Sequence, residues 1–153
     1  MFVTNTPTLL DGSFLDQLVD IDRRCSSPSW TREQFKGEFD STHSSLFGSL
    51  DTDGSLAGFI VVHQVQGQSE VVTFGVEPQR RKKGVGAQLL RFALNFLKSR
   101  DVSVVTLEVR ASNQSAISLY KKEGFVVQGQ RSSYYSDTGE DALLMYLDIG
   151  GVV

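Results

Sequence analysis

Apolar positions along the chain change their period several times, and each change marks an element. After a short extended start, Phe14, Leu15, Leu18, Val19 and Ile21 recur at the spacing of one helix face. Ser26-Ser27-Pro28-Ser29 then reads as a loop. A second helix opens at Thr31, an N-cap residue with Gln34 three positions on, which forms a capping box; Trp30 and Phe35 flank it at the positions of a hydrophobic staple. Strands follow over 45–50 and 56–65, separated by the turn Asp51-Thr52-Asp53-Gly54. A third runs over 70–76, after the turn Gln66-Gly67-Gln68. Residues 84–98 read as the best helix, with Val85, Leu89, Phe92, Ala93 and Phe96 on one face. A valine-rich strand spans 103–109 and a helix 113–122, with Gly124 at the place of a left-handed C-cap. Strands over 125–130 and 142–149 close the chain, joined by a loop turning at Asp137-Thr138-Gly139.

This order, β-α-α-β-β-β-α-β-α-β-β, predicts a fold of the α/β (α+β) class. It would form one domain over residues 1–153, a mostly antiparallel mixed sheet with helices on both faces. The step from strand 70–76 through the helix to strand 103–109 has the form of a parallel crossover, which would be right-handed.

Composition narrows the function by exclusion. Hydrophobic residues make up 40% and charged residues 22%, the range of a soluble globular protein. A net charge of −3 gives no overall basic field for nucleic acid, so any bound anion needs a local site. One cysteine, Cys25, rules out an internal disulfide and argues against a zinc cluster; His43 and His63 lack metal-ligand spacing. No apolar run approaches the ~18 residues of a membrane span, and the N-terminus lacks a signal-peptide pattern. A cytoplasmic protein is the expectation.

The local anion site is found where strand 70–76 runs into helix 84–98. Gly84 and Gly86 remove side chains where backbone must approach a ligand, and the first helical turn leaves unpaired N–H groups aimed outward. Four cations, Arg80, Arg81, Lys82 and Lys83, stand beside it. A diphosphate is the ligand this suits. No Lys-Ser or Lys-Thr follows the glycines, so it is not a Walker loop. The third glycine of the dinucleotide fingerprint is also missing. The plain alternative is a basic turn with a glycine-relaxed helix start.

Arg81-x-x-Gly84-x-Gly86 resembles the pyrophosphate loop of the GCN5-related N-acetyltransferase (GNAT) superfamily. The resemblance implies a GNAT-like fold and acetyl-CoA as cofactor. Its diphosphate would lie on the backbone from Arg81 through Lys82, Lys83, Gly84, Val85 and Gly86 to Ala87, and its pantetheine arm along Phe74, Gly75 and Val76. Gly75 inside a strand suits a bulge or a close ligand approach. The run Leu107-Glu108-Val109-Arg110-Ala111-Ser112-Asn113, with Leu119-Tyr120, Gly124-Phe125, Arg131-Ser132-Ser133-Tyr134-Tyr135 and Glu140-Asp141-Ala142, resembles the branch that acetylates protein N-termini. Within it the likeness is to the bacterial ribosomal-protein-alanine (RimI-like) enzymes. It covers roughly residues 30–147.

That resemblance implies Glu108 as general base, Tyr120 as the acid that protonates the leaving thiolate, and Asn113 as a cofactor contact. Tyr134 and Tyr135 would bind substrate backbone, and Trp30 would sit in the loop that shapes the substrate groove. The partner is then a protein or peptide N-terminus. Each residue also has a plainer reading. Glu108 could pair with Arg110, Tyr120 could pack, Asn113 could cap its helix, and the tyrosines could be edge-strand aromatics. Glu70, six residues before Val76, is a rival base for a lysine or small-amine substrate; its plainer reading is a strand-end charge facing water. A non-catalytic acyl-CoA-binding module is a further alternative, which the presence of both Glu108 and Tyr120 argues against. Cys25 has no base near it in sequence and is expected to be inert. The chain departs from the RimI-like pattern at Ser27-Pro28-Ser29-Trp30, with an extra residue and no aromatic before Pro28. It also has Arg80 where tyrosine is common and Gly75 where alanine is usual.

Overall fold

The structure, a computed structural model, describes residues 6–26 and 29–150. Its elements run in the expected order: β1 (Thr8–Leu9), α1 (Leu15–Cys25), α2 (Arg32–Asp40), β2 (Ser44–Leu50), β3 (Leu56–Val65), β4 (Gln68–Val76), α3 (Val85–Ser99), β5 (Val104–Arg110), α4 (Gln114–Lys122), β6 (Val126–Tyr135) and β7 (Glu140–Asp148). The loop expected at Ser26–Ser29 includes residues 27 and 28, which lie outside the described residues.

The seven strands form one sheet in the order β1-β2-β3-β4-β5-β7-β6. Among the described residues only β4 and β5 pair in parallel; every other neighbouring pair is antiparallel. Strand β3 is buried on both faces and sorts its side chains by parity. Phe59 and Val61 join a cluster with Leu18, Ile21 and Phe35 of α1 and α2. Ile60 and Val62 join the larger cluster with Leu89, Leu90, Ala93 and Leu97 of α3 and with Ile117 and Tyr120 of α4. Helices therefore cover both faces, and β3 reads as a continuous apolar run for that reason.

Local chemistry predicted from sequence is found in place at several ends. The Thr31 hydroxyl accepts from the Gln34 N–H at 3.1 Å, while the Gln34 side chain accepts from the Thr31 N–H at 2.7 Å. Trp30 packs on Phe35 with ring centroids 5.1 Å apart, which completes the staple. Thr31→Ala should cost about 1 kcal/mol. In a chain of this size that lowers Tm by roughly 2–4 °C in thermal denaturation. Gly124 takes φ +102° just after α4, as its C-cap position requires.

Three features differ from the expectation. The last two strands are longer than their apolar cores suggest, so Tyr134 and Tyr135 belong to β6 itself, the edge strand of the sheet. The irregularity in β4 falls at Val72, not Gly75: Val61 pairs with Thr73 and Val62 with Val71, leaving Val72 as the extra residue. Gly75 stays in register opposite Phe59. A Cβ there would come within 2.8 Å of the Phe59 ring and 3.2 Å of Cys25 Sγ, so packing is what excludes a side chain.

Candidate active site

The bulge at Val72 has a direct consequence for the sheet. β4 and β5 pair from Gln68↔Val104 to Val71↔Leu107, and the pairing stops there. Beyond it β4 continues to Val76 against β3 alone, and β5 continues to Arg110 against β7 alone. A bulge bends its strand and increases the local twist. The sheet therefore splits, and the β4 edge over Phe74-Gly75-Val76 has no β5 partner. Unpaired strand edges accept an extended chain carrying amides.

At the end of that edge lies the glycine loop. Lys82 and Gly84 both take positive φ, 63° and 84°, and such turns point backbone N–H groups into a shared concavity. Gly84 is the N-cap of α3, and its carbonyl accepts the Gln88 N–H at 3.0 Å. The N–H groups of Val85, Gly86 and Ala87 have no acceptor within the helix. A Cβ on Gly84 would meet nothing within 4 Å, so space is open beside it. A Cβ on Gly86 would touch Leu119, Phe74 and Val76 at 3.4–3.5 Å, so Gly86 brings α3 close to α4 and to the free β4 edge. The cations share this work unevenly. Arg80 pairs with Asp51 of the β2–β3 turn, and Arg81 donates from Nε to the Val76 carbonyl at 3.2 Å. The expected four-cation field is thus partly spent on holding the loop's own shape.

Tyr120 lies under the split. It is buried, 6.3 Å from the Phe74 ring and 5.7 Å from Phe125. Burial pushes its hydroxyl well above the ordinary phenol range, with Tyr135 a lesser influence in the same direction. It therefore stays protonated at neutral pH, the state in which a proton donor must start. Asn113 caps α4, its side chain accepting from the Ala116 N–H at 3.2 Å.

On the opposite face of β5 a cleft of about 270 Å³ contains both candidate bases. Glu70, Thr106, Glu108, Gln128, Arg131 and Leu144 line it. Glu70 stands opposite Thr106 in the parallel pairing, two positions from Glu108 on the same face of the sheet. Glu70 is exposed, whereas Glu108 is half-buried. Glu108 does not pair with Arg110. It faces Arg131, at 3.7 Å, and its carboxylate beside Tyr134 raises the tyrosine's pKa. Arg110 turns instead to Asp137 of the β6–β7 turn, at 2.9 Å, and to Glu140 at the start of β7, at 3.7 Å. Tyr134 and Tyr135 meet edge to face at 5.1 Å beside the cleft. Gln128 carries no sequence signal, and Arg131 stands in the matched run before the tyrosine pair without a role assigned to it; β7 must insert between β5 and β6 before they can reach Glu108.

Two other positions carry less. Trp30 contacts Phe35 and donates its N–H to Asp22 at 2.7 Å, which is a packing role; the contacts described for it do not reach the cleft. Cys25 donates to the Val76 carbonyl at 3.2 Å, and burial raises its thiol pKa, so it is a poor nucleophile. A larger hollow of about 320 Å³ lies against α1, and several of its polar side chains are already paired. Arg24 is bidentate to Glu77, Arg80 is on Asp51, and Gln17 accepts the Leu56 N–H.

The chain matches known proteins along most of its length. Residues 15–125 match the model of the acetyltransferase (GNAT) family, a span that includes the glycine loop, Glu108 and Tyr120. The chain is 31% identical to the ribosomal protein bS18-alanine N-acetyltransferase of Escherichia coli over 147 residues, covering 95% of this chain and 98% of that protein. It is 35% identical to the N-alpha-acetyltransferase RimI of Mycobacterium tuberculosis over 125 residues, covering 79% and 77%. The crystal structure of the ribosomal-protein-S18-alanine N-acetyltransferase from Escherichia coli superposes with a TM-score of 0.91 at 28% identity, covering 99% of this chain and 97% of that one. The split sheet, the open helix N-terminus and these matches lead to one conclusion: the chain belongs to the acetyltransferase (GNAT) family, as an N-acetyltransferase that uses acetyl-CoA.

Proposed function

We propose that this enzyme acetylates the α-amine of a protein N-terminus, with Glu108 as general base and Tyr120 as general acid. The observation that carries the reading is the cleft in which Glu108, half-buried, faces Arg131 beside Tyr134. The relatives named above support it, one acting on a ribosomal-protein alanine and the other being an N-alpha-acetyltransferase.

Acetyl-CoA supplies the thioester whose acetyl group is transferred and whose thiolate leaves. The free edge at Phe74-Gly75-Val76 suits its amide-bearing arm, and the N–H groups from Arg81 to Ala87 suit its diphosphate. Lys82 and Lys83 add positive charge there, and Asn113 adds a polar contact at the start of α4. Glu108 takes the proton of the attacking amine, directly or through water. The Tyr120 hydroxyl, kept neutral by burial, donates to the departing sulfur. Tyr134 and Tyr135 offer hydroxyls to the first peptide groups of the acceptor. Trp30 supports α2 and so acts on the groove only indirectly.

An α-amine titrates near pH 8 and a lysine amine roughly 2.5 units higher, so a single carboxylate activates the former far more readily at neutral pH. The deciding measurement compares a peptide with a free Ala or Ser N-terminus against the same peptide blocked at its N-terminus but bearing lysines. The free peptide should be acetylated and the blocked one scarcely at all. Equal rates would remove the N-terminal reading. The second reading, a lysine or small-amine acetyltransferase using Glu70, rests on Glu70 lining the same cleft, and equal rates would favour it.

A further inference from the structure

Arg110 stands two residues past Glu108 on the same face of β5, and its guanidinium engages Asp137 of the β6–β7 turn. We propose that Arg110 is a positioning residue for the acceptor: it fixes Tyr135, and through it Tyr134, against Glu108. The proposal rests on the reading of the tyrosine pair as the acceptor surface.

The need for such a clamp is visible in β6. Between the pairs Arg131↔Ala142 and Tyr135↔Glu140 the strand carries Ser132, Ser133 and Tyr134 opposite Asp141 alone. The ladder is interrupted there, and Ser133 takes φ +50°. A backbone without its ladder does not by itself aim the side chains it carries. Two anchors replace the ladder. Asp141 accepts the Ser133 N–H at 2.9 Å and fixes the start of the bulge. Arg110 fixes its end. The guanidinium grips Asp137 through two nitrogens, at 3.1 and 2.9 Å, and reaches the Thr138 hydroxyl at 3.3 Å. It also lies 3.7 Å from Glu140, whose other oxygen accepts the Ser112 N–H at 2.6 Å. Its flat face covers the Tyr135 ring, 4.1 Å from Cζ to the centroid. Tyr135 then meets Tyr134 at 90°, the Arg131 guanidinium lies 5.6 Å from the Tyr134 ring centroid, and Arg131 faces Glu108 at 3.7 Å. The path from Arg110 to the base is thus a chain of direct contacts. A planar cation can fork to a carboxylate and stack on a ring together; an ammonium supplies the charge without both geometries.

The test is steady-state kinetics on Arg110→Met, Arg110→Lys and Asp137→Asn, with Tyr134→Phe and Tyr135→Ala beside them. The acceptor is the free-N-terminus peptide, and acetyl-CoA binding is read separately by its Tm shift. We expect Arg110→Met to raise the peptide KM about tenfold with kcat changed less than about threefold and acetyl-CoA binding kept, the pattern of lost acceptor binding. Arg110→Lys should recover part of that loss, and Asp137→Asn should shift KM in the same direction by less. If Arg110→Met does not fold, Asp137→Asn carries the test alone. An unchanged peptide KM in the Arg110 and Asp137 variants, with Tyr135→Ala still raising it, overturns the clamp and leaves the tyrosine surface standing. Should neither tyrosine variant move KM, the acceptor reading itself fails and takes the clamp with it. A joint fall of kcat, cofactor binding and Tm that lysine does not relieve marks Arg110 as merely structural and overturns the proposal.

Discussion

Glu108→Gln is expected to lower kcat by ~10²-fold or more, the usual cost of losing a general base, while the Tm rise produced by acetyl-CoA is kept. Glutamine preserves the shape of the side chain, so the cleft stays formed and only the proton acceptor is lost. The defect should narrow as pH rises past the amine's own pKa of about 8, because a growing share of the acceptor then arrives deprotonated. Glu70→Gln is the matched control, since Glu70 lines the same cleft but is more exposed. A severe effect of Glu70→Gln beside a mild effect of Glu108→Gln would transfer the base to Glu70. A severe effect of both would indicate that the two carboxylates act together on the incoming ammonium.

Gly84→Val is expected to abolish the acetyl-CoA-induced rise in Tm. In the unaltered protein, cofactor at a hundredfold excess over Kd should stabilise by about 2.7 kcal/mol, or roughly 5–10 °C in a chain of this size. Gly84 holds φ +84°, where a β-branched residue is an outlier costing about 1–2 kcal/mol. A valine either strains the turn in place or shifts its dihedrals. It also puts a side chain into the open space beside the Val85–Ala87 N–H groups, where a diphosphate would lie. The strain is small against the ~5–15 kcal/mol stability of an ordinary domain, so the fold should survive with a modestly lower Tm. A full ligand shift in Gly84→Val would mean that the diphosphate is held elsewhere.

What could be read from the sequence is what depends on neighbours a few residues apart. The Thr31–Gln34 box, the Trp30–Phe35 staple, the left-handed glycine at 124 and the order of strands and helices all follow from local hydrogen bonding, backbone sterics and apolar period. The candidate chemistry was legible too, because Gly84, Glu108, Tyr120, Tyr134 and Tyr135 stand in short runs. Which groups meet was decided only in three dimensions. Strand β7 inserts between β5 and β6, and that exchange of neighbours brings Arg131 and Tyr134 onto Glu108. One extra residue at Val72 ends the β4–β5 pairing and opens the sheet, and nothing in the local run Val71-Val72-Thr73 marks it. Arg80 and Arg110 take Asp51 and Asp137, partners 29 and 27 positions away, instead of the groups beside them in sequence. A long cationic side chain can reach several carboxylates at similar cost. The choice is settled by which one the packed sheet and its turns bring within hydrogen-bond distance, and that distance is a property of the whole fold.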